Sequence, residues 1–105
     1  MTAIDDGMFW EYADPFLAAG AERSTMMGNI CLRLNGAFFA SLDHRTGDLI
    51  VKLPATRVTD LVNGGDAASF APNGRVFKEW ASISPRREDD WAGLMEEALA
   101  FASSS

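Results

Sequence analysis

From Asn29 to Pro54 apolar and polar positions alternate in short runs, NICLRL, AFFASLD and DLIVKLP. A period of two residues belongs to a strand with one face covered. Asn35-Gly36 separates the first run from the second, and Thr46-Gly47 separates the second from the third. Asn-Gly between apolar runs is the strongest short-range hairpin signal, since Gly takes a positive φ without a Cβ clash and Asn tolerates one. The stretch therefore predicts a three-stranded antiparallel meander.

Register decides which side chains face inward. A two-residue turn at Asn35-Gly36 pairs Leu34 with Ala37 and sets Phe39 beside Leu32. A three-residue turn with a bulge at Gly36 pairs Arg33 with Ala37 instead. It gathers Ile30, Leu32, Phe38, Ala40 and Leu42 on one face, joined by Leu49, Val51 and Leu53 from the third strand. A slip of one residue flips every side chain, so the cleaner segregation favours the bulged turn. The opposite face then carries Cys31, Arg33, Phe39, Ser41, Ile50 and Lys52.

A helix is predicted ahead of the meander, from about Asp5 to Ala19, with Asp5 or Asp6 accepting from its first free N–H groups. Met8, Tyr12 and Phe16 form its apolar stripe with Phe9 beside them, and Pro15 predicts a break or kink near Ala13-Asp14. AERSTMMG reads as a connector. After the meander Pro54 opens a short helix with Val58, Leu61 and Val62 on one side, ended by Gly64-Gly65. ASFAP and RVFKEWASIS then read as a second hairpin turning at Asn73-Gly74. Phe77, Ala81 and Ile83 share one of its faces, and Val76, Lys78, Trp80 and Ser82 the other; Glu79 interrupts the apolar alternation of the first set. Ser84-Pro85 opens a last helix with Glu88, Asp89 and Asp90 at its positive end, and Trp91, Leu94, Met95 and Ala98 at helical spacing. The order α-β(3)-α-β(2)-α predicts an α+β fold, a two-layer α/β sandwich with the antiparallel meander packed against helices. Residues 1–105 make one domain.

Charge narrows the partners. A net charge of −6 disfavours attraction to nucleic acid or to an anionic membrane. No apolar run approaches the roughly 18 to 20 residues of a membrane span. The N-terminus lacks a secretory pattern, and the single Cys31 fits a reducing compartment, so the expected location is cytoplasmic.

Candidate chemistry is sparse. Asp43, His44 and Asp48 offer two carboxylates and an imidazole around one turn, but no fourth ligand follows, and Asp is itself a turn residue. A hairpin tip is the better reading. Cys31 with His44 lacks an orienting group for the His or an oxyanion hole, so a passive strand thiol is preferred. Glu96-Glu97 and Glu88-Asp89-Asp90 are accounted for by helix solvation and the helix dipole. Asn73-Gly74-Arg75 lacks the spacing of a phosphate loop. No metal, cofactor or catalytic residue is expected. What remains is Arg33, Phe39, Ile50, Lys52, Lys78 and Trp80, an aromatic and aliphatic set with interspersed cations on the outer sheet face. Such a surface suits a protein partner or a second copy of the chain, or an anionic small molecule. Cover by a helix or loop, with the cationic stems reaching to water, is the structural alternative.

In this order, the chain resembles the N-terminal domain of the TfoX/Sxy family. The resemblance rests on Met27-Gly28, Leu34-Asn35-Gly36 with Phe39-Ala40, Val51-Lys52-Leu53-Pro54, Phe70 and Pro72, Lys78-Glu79-Trp80, and Trp91 and Ala98 of the last helix. It implies the two-layer fold already read from the elements. Proteins named for the family regulate competence in some bacteria, and their longer members carry a second, C-terminal domain. Stand-alone domains of this kind have no assigned activity, and no catalytic residue comes with the resemblance. The expected function is a non-enzymatic interaction or regulatory module. The alternative is a domain that binds an anionic small molecule, or a weak enzyme, using Lys52 and Arg33 on the outer sheet face.

Overall fold

The computed structural model describes residues 6–26 and 28–104. Its elements are α1 (Gly7–Ala18), β1 (Glu22–Met26), β2 (Asn29–Leu34), β3 (Ala37–Leu42), β4 (Leu49–Lys52), α2 (Ala55–Asn63), β5 (Ala68–Phe70), β6 (Phe77–Ile83), a 3-10 turn (Pro85–Asp90) and α3 (Trp91–Ser104). One six-stranded sheet has the order β1-β2-β3-β4-β6-β5, and every neighbouring pair is antiparallel. Asp5, Met27 and Ser105 lie outside the described residues.

Leu32, Ala40, Val51 and Ala81 stand opposite one another across four strands, and Leu42, Leu49 and Ile83 form a second row. Both rows are buried in one core with Phe9, Ala13 and Phe16 of α1, Val58 and Leu61 of α2, and Trp91, Leu94, Met95 and Ala98 of α3. All three helices therefore cover the same sheet face. This is the α+β two-layer sandwich, with one strand more than the expected order. AERSTMMG is not a mere connector: its residues Glu22–Met26 form β1, at the sheet edge. A strand of charged and hydroxyl residues carries no apolar alternation, and such residues blunt a free edge against further pairing.

The first hairpin corrects the expected register. Asn35 and Gly36 have φ of 51° and 85°, a two-residue turn of the I′ kind, and Leu34 pairs with Ala37. The bulge exists but sits further along, because Arg33 pairs with Phe38 while Leu32 pairs with Ala40. Phe39 is the inserted residue and turns inward, fully buried, whereas Phe38 is only half-buried. Ile30, Leu32, Ala40 and Leu42 keep the face expected of them. Phe39 joins them in the core, and Phe38 lines a hollow beside Ala98, Phe101 and Ala102 of α3.

Helix α1 runs through Pro15 without the expected break. An internal proline costs about 3 kcal/mol. Burying Phe9 and Phe16 contributes about 1.5–3 kcal/mol each, so packing outweighs the lost hydrogen bond. Asp6 precedes the helix without capping it; its carboxylate accepts from Trp10 Nε1 at 3.2 Å. The last helix also starts later than expected. Ser84 Oγ accepts from Arg86 N at 3.1 Å, and Arg87, at φ −109° and ψ 34°, kinks the 3-10 segment just before the acidic residues that lead into α3. Trp91 Nε1 donates to the Ser84 carbonyl at 3.2 Å and closes that corner. Among the described residues no helix is long and apolar enough to cross a membrane.

Candidate functional site

The outer sheet face begins with the row Ser24, Cys31, Ser41, Ile50 and Ser82, which alternates with the core rows. Among the described residues no helix lies above it, yet Cys31, Ser41 and Ile50 are buried. Beside Ile50 and Ser41, the segment with Phe70, Pro72 and Asn73 bounds a cavity of about 350 Å³ whose rim includes Asp43 and Arg45. Its polar groups are engaged in local structure. Ser41 Oγ donates to the Ile30 carbonyl at 2.7 Å, and Asp43 Oδ1 accepts from Arg45 N at 2.9 Å. Asn29 Oδ1 lies 3.0 Å from His44 Nδ1, and Asp48 Oδ2 accepts from Ser82 Oγ at 2.8 Å. Asp43, His44 and Asp48 thus brace the β3–β4 turn.

The six residues singled out on this face fall in four places. Arg33 lies at the β1 side, with Nε 3.4 Å from Glu22 Oε1. Phe39 leaves the face altogether for the core, and Ile50 floors the cavity just described. Lys52 and Trp80 stand opposite each other on β4 and β6. With Lys78 they line a hollow of about 460 Å³ that also touches Ala55, Phe77 and Glu79. Lys52 and Arg33 form no cationic pair in a shared pocket.

The start of β6 is more exposed than its end. Phe77, expected to share a face with Ala81 and Ile83, is 38% exposed and Val76 beside it 54%, whereas Ala81 and Ile83 are buried. The pairing of β5 with β6 explains this: Ser69 pairs with Ala81 but Phe70 with Phe77, so three residues of β6 bulge out between those pairs. Glu79, which interrupts the apolar alternation, was the signal. Next to the exposed pair a groove of about 400 Å³ runs between α2 and β6, walled by Ala55, Val58 and Val62 on one side and Val76 and Phe77 on the other. The Arg75 guanidinium lies 5.8 Å from the Phe77 ring centroid, within cation–π range, and Phe70 stacks against Phe77 at 5.9 Å.

Several of the remaining reactive groups have structural partners. Burial pushes the Cys31 thiol up, opposed by a hydrogen bond with Ser24 and by the charge of Arg33. Glu97 receives Arg57 Nε and Nη2 at 2.8 and 3.1 Å, Glu88 receives the Tyr12 hydroxyl at 3.2 Å, and Arg87 pairs with Asp66 and with Asp90. These ion pairs tie α2 to the 3-10 turn and α3. Among the described residues no three His, Cys, Asp or Glu side chains are placed to hold a metal ion.

No protein-family model matches this chain, and no curated protein matches it either.

Proposed function

We propose that this chain is a non-enzymatic interaction module of the TfoX N-terminal-domain type, acting by contact with a protein. The observation that supports this reading is the Val76–Phe77 pair, a large apolar group left in water beside a groove and bordered by Arg75, Lys78 and Lys52. Exposed apolar surface with an aromatic anchor and an arginine at its margin is the composition of a contact surface. The net charge of −6 favours a protein over a nucleic acid, and a single buried free thiol suits a reducing, cytoplasmic setting.

The test is affinity capture from the native extract with wild-type protein and with a Val76→Ser/Phe77→Ser variant, circular dichroism confirming that both are folded. Proteins retained by the wild type alone are the expected result. An identical captured set for both overturns the reading. A second reading, an anionic small molecule on the outer sheet face, keeps one supporting observation: the cavity over Ile50, with Arg45 at its rim. Titration with inorganic phosphate and simple carboxylates, followed by NMR at Ser41 and Ile50, tests it; unmoved resonances at millimolar ligand dismiss it.

A further inference from the structure

We infer that the groove between α2 and β6 receives an acidic, amphipathic helical segment of a partner protein. This deepens the interaction reading above and rests on it. The shape comes first. Ala55, Val58, Thr59, Val62 and Asn63 line the groove at i, i+3, i+4, i+7 and i+8, so it follows one stripe of α2 along its length. At 1.5 Å per residue that stripe is about 12 Å long, room for about two turns of a docked helix. Its valine floor and the Phe77 wall would take apolar side chains spaced one turn apart, the anchoring pattern of a helix in a groove.

Charge then selects the occupant. The groove lining carries one charged side chain, Lys78, and no carboxylate. Arg75 stands over Phe77 at one border, and Lys52 lines the hollow that shares Ala55, Phe77 and Lys78 with the groove; Glu79 is the acidic group of that hollow. Elsewhere on the molecule Arg33, Arg45, Arg57 and Arg87 each face a carboxylate within 4 Å; of the five cations that form no ion pair among the described residues (Arg23, Lys52, Arg75, Lys78 and Arg86), Lys52, Arg75 and Lys78 border the exposed apolar pair. A protein of net charge −6 thus presents, around its exposed apolar pair, cations that its own acids leave unneutralised. Carboxylates flanking an apolar stripe are complementary to that arrangement. A second copy is less suited. Two copies would bring net charges of −6 together, and Glu88 and Asp90 of the acidic 3-10 turn are already engaged by Tyr12 and Arg87.

The experiment is selection of 12-residue peptides from a random display library on the intact protein, followed by fluorescence anisotropy with the peptides recovered. The expected sequences carry Asp or Glu around apolar residues spaced three or four apart. Their affinity should fall about tenfold or more in an Arg75→Glu/Lys78→Glu variant, and should fall with added salt. The Lys78→Ala variant, which keeps the groove and its fold, should weaken binding less than the double reversal. Recovery of basic or neutral sequences, binding indifferent to the charge reversal, or no enrichment over several rounds overturns the proposal. A wild-type dimer that Phe77→Ser dissociates also overturns it, by making the occupant a second copy. If capture from extract depends on Val76 and Phe77 while no acidic peptide is selected, the inference fails and the interaction reading stands. If capture is indifferent to both, the interaction reading fails with it.

Discussion

Phe16 of α1 and Phe39 of β3 meet edge to face, their ring centroids 6.4 Å apart and their planes at 62°. The contact exists because the bulge in β3 turns Phe39 toward the helices, so a single inserted residue couples the first helix to the middle of the sheet. Edge-to-face pairs add to the area that they bury. Phe39→Ala should therefore cost about 3–5 kcal/mol in urea unfolding, the range of a buried aromatic truncation. Phe38→Ala, from the half-buried neighbour, should cost markedly less. Equal losses would mean that the bulge is misplaced.

The turn that feeds the bulge has its own requirement. A Cβ on Gly36 meets nothing within 4 Å, so space is not the obstacle, but its φ of +85° is one that L side chains rarely adopt. Gly36→Ala should lose about 1–2 kcal/mol, and Asn35→Gly about 0.5 kcal/mol or less. Chemical denaturation of the two variants separates conformational strain from simple change of residue.

Truncating the exposed pair should cost little beside a core truncation. Val76→Ser is expected within about 0.5 kcal/mol of wild type in thermal or urea melts, and Phe77→Ser, which gives up its contacts with Phe70 and Arg75, at about 1–2 kcal/mol. A loss of several kcal/mol in either would show that the pair is part of the core and not a contact surface.

The thiol gives a pH signature. Burial raises the folded-state value of Cys31 above the usual 9.0, so the native state holds the proton more tightly than the unfolded chain does. The stabilisation is complete below the unfolded thiol value and is lost as pH rises through the folded one. Wild type should thus lose stability between pH 8 and pH 10 relative to Cys31→Ala, about the window in which a free thiol ionises. Iodoacetamide should label native Cys31 far more slowly than the urea-unfolded chain. Labelling at the free-thiol rate at neutral pH would contradict the buried placement.

Arg57 and Glu97 pair at 2.8 Å, but their side chains are 43% and 42% exposed. A double-mutant cycle should return a coupling below about 1 kcal/mol that shrinks with salt. A coupling of several kcal/mol would show the pair to be far better shielded than that.

How much of this was readable depends on the kind of signal each residue carries. The meander was legible because Asn35-Gly36 and the alternation from Ile30 to Leu53 are local, and α3 was legible from Trp91, Leu94, Met95 and Ala98. Strand β1 was not, because Glu22, Arg23, Ser24 and Thr25 gain their strand state from pairing with β2 rather than from any pattern of their own. The place of the bulge was equally hidden, since it follows from which of two adjacent phenylalanines fits beneath α1, a matter of tertiary packing. Pro15 misled for the same reason, its local cost being outweighed by the burial around it. Of the outer-face set, Lys52, Lys78 and Trp80 do meet. Arg33 is turned to Glu22 by a strand that alternation alone does not reveal, and the exposure of Phe77 depends on the β5–β6 irregularity that Glu79 only hints at.

Helix α2 is held at both ends of its polar side, by Arg57 to Glu97 and, just past its C-terminus, by Asp66 to Arg87. One wall of the groove is thereby in place before anything docks against it, chiefly through the burial of Val58 and Leu61 and to a lesser degree through these exposed pairs. An incoming segment would have to order only itself and the few side chains it touches, which lowers the entropic cost of association. Cutting those two clamps, far from any contact with a ligand, should slow its capture while leaving the contact residues as they are.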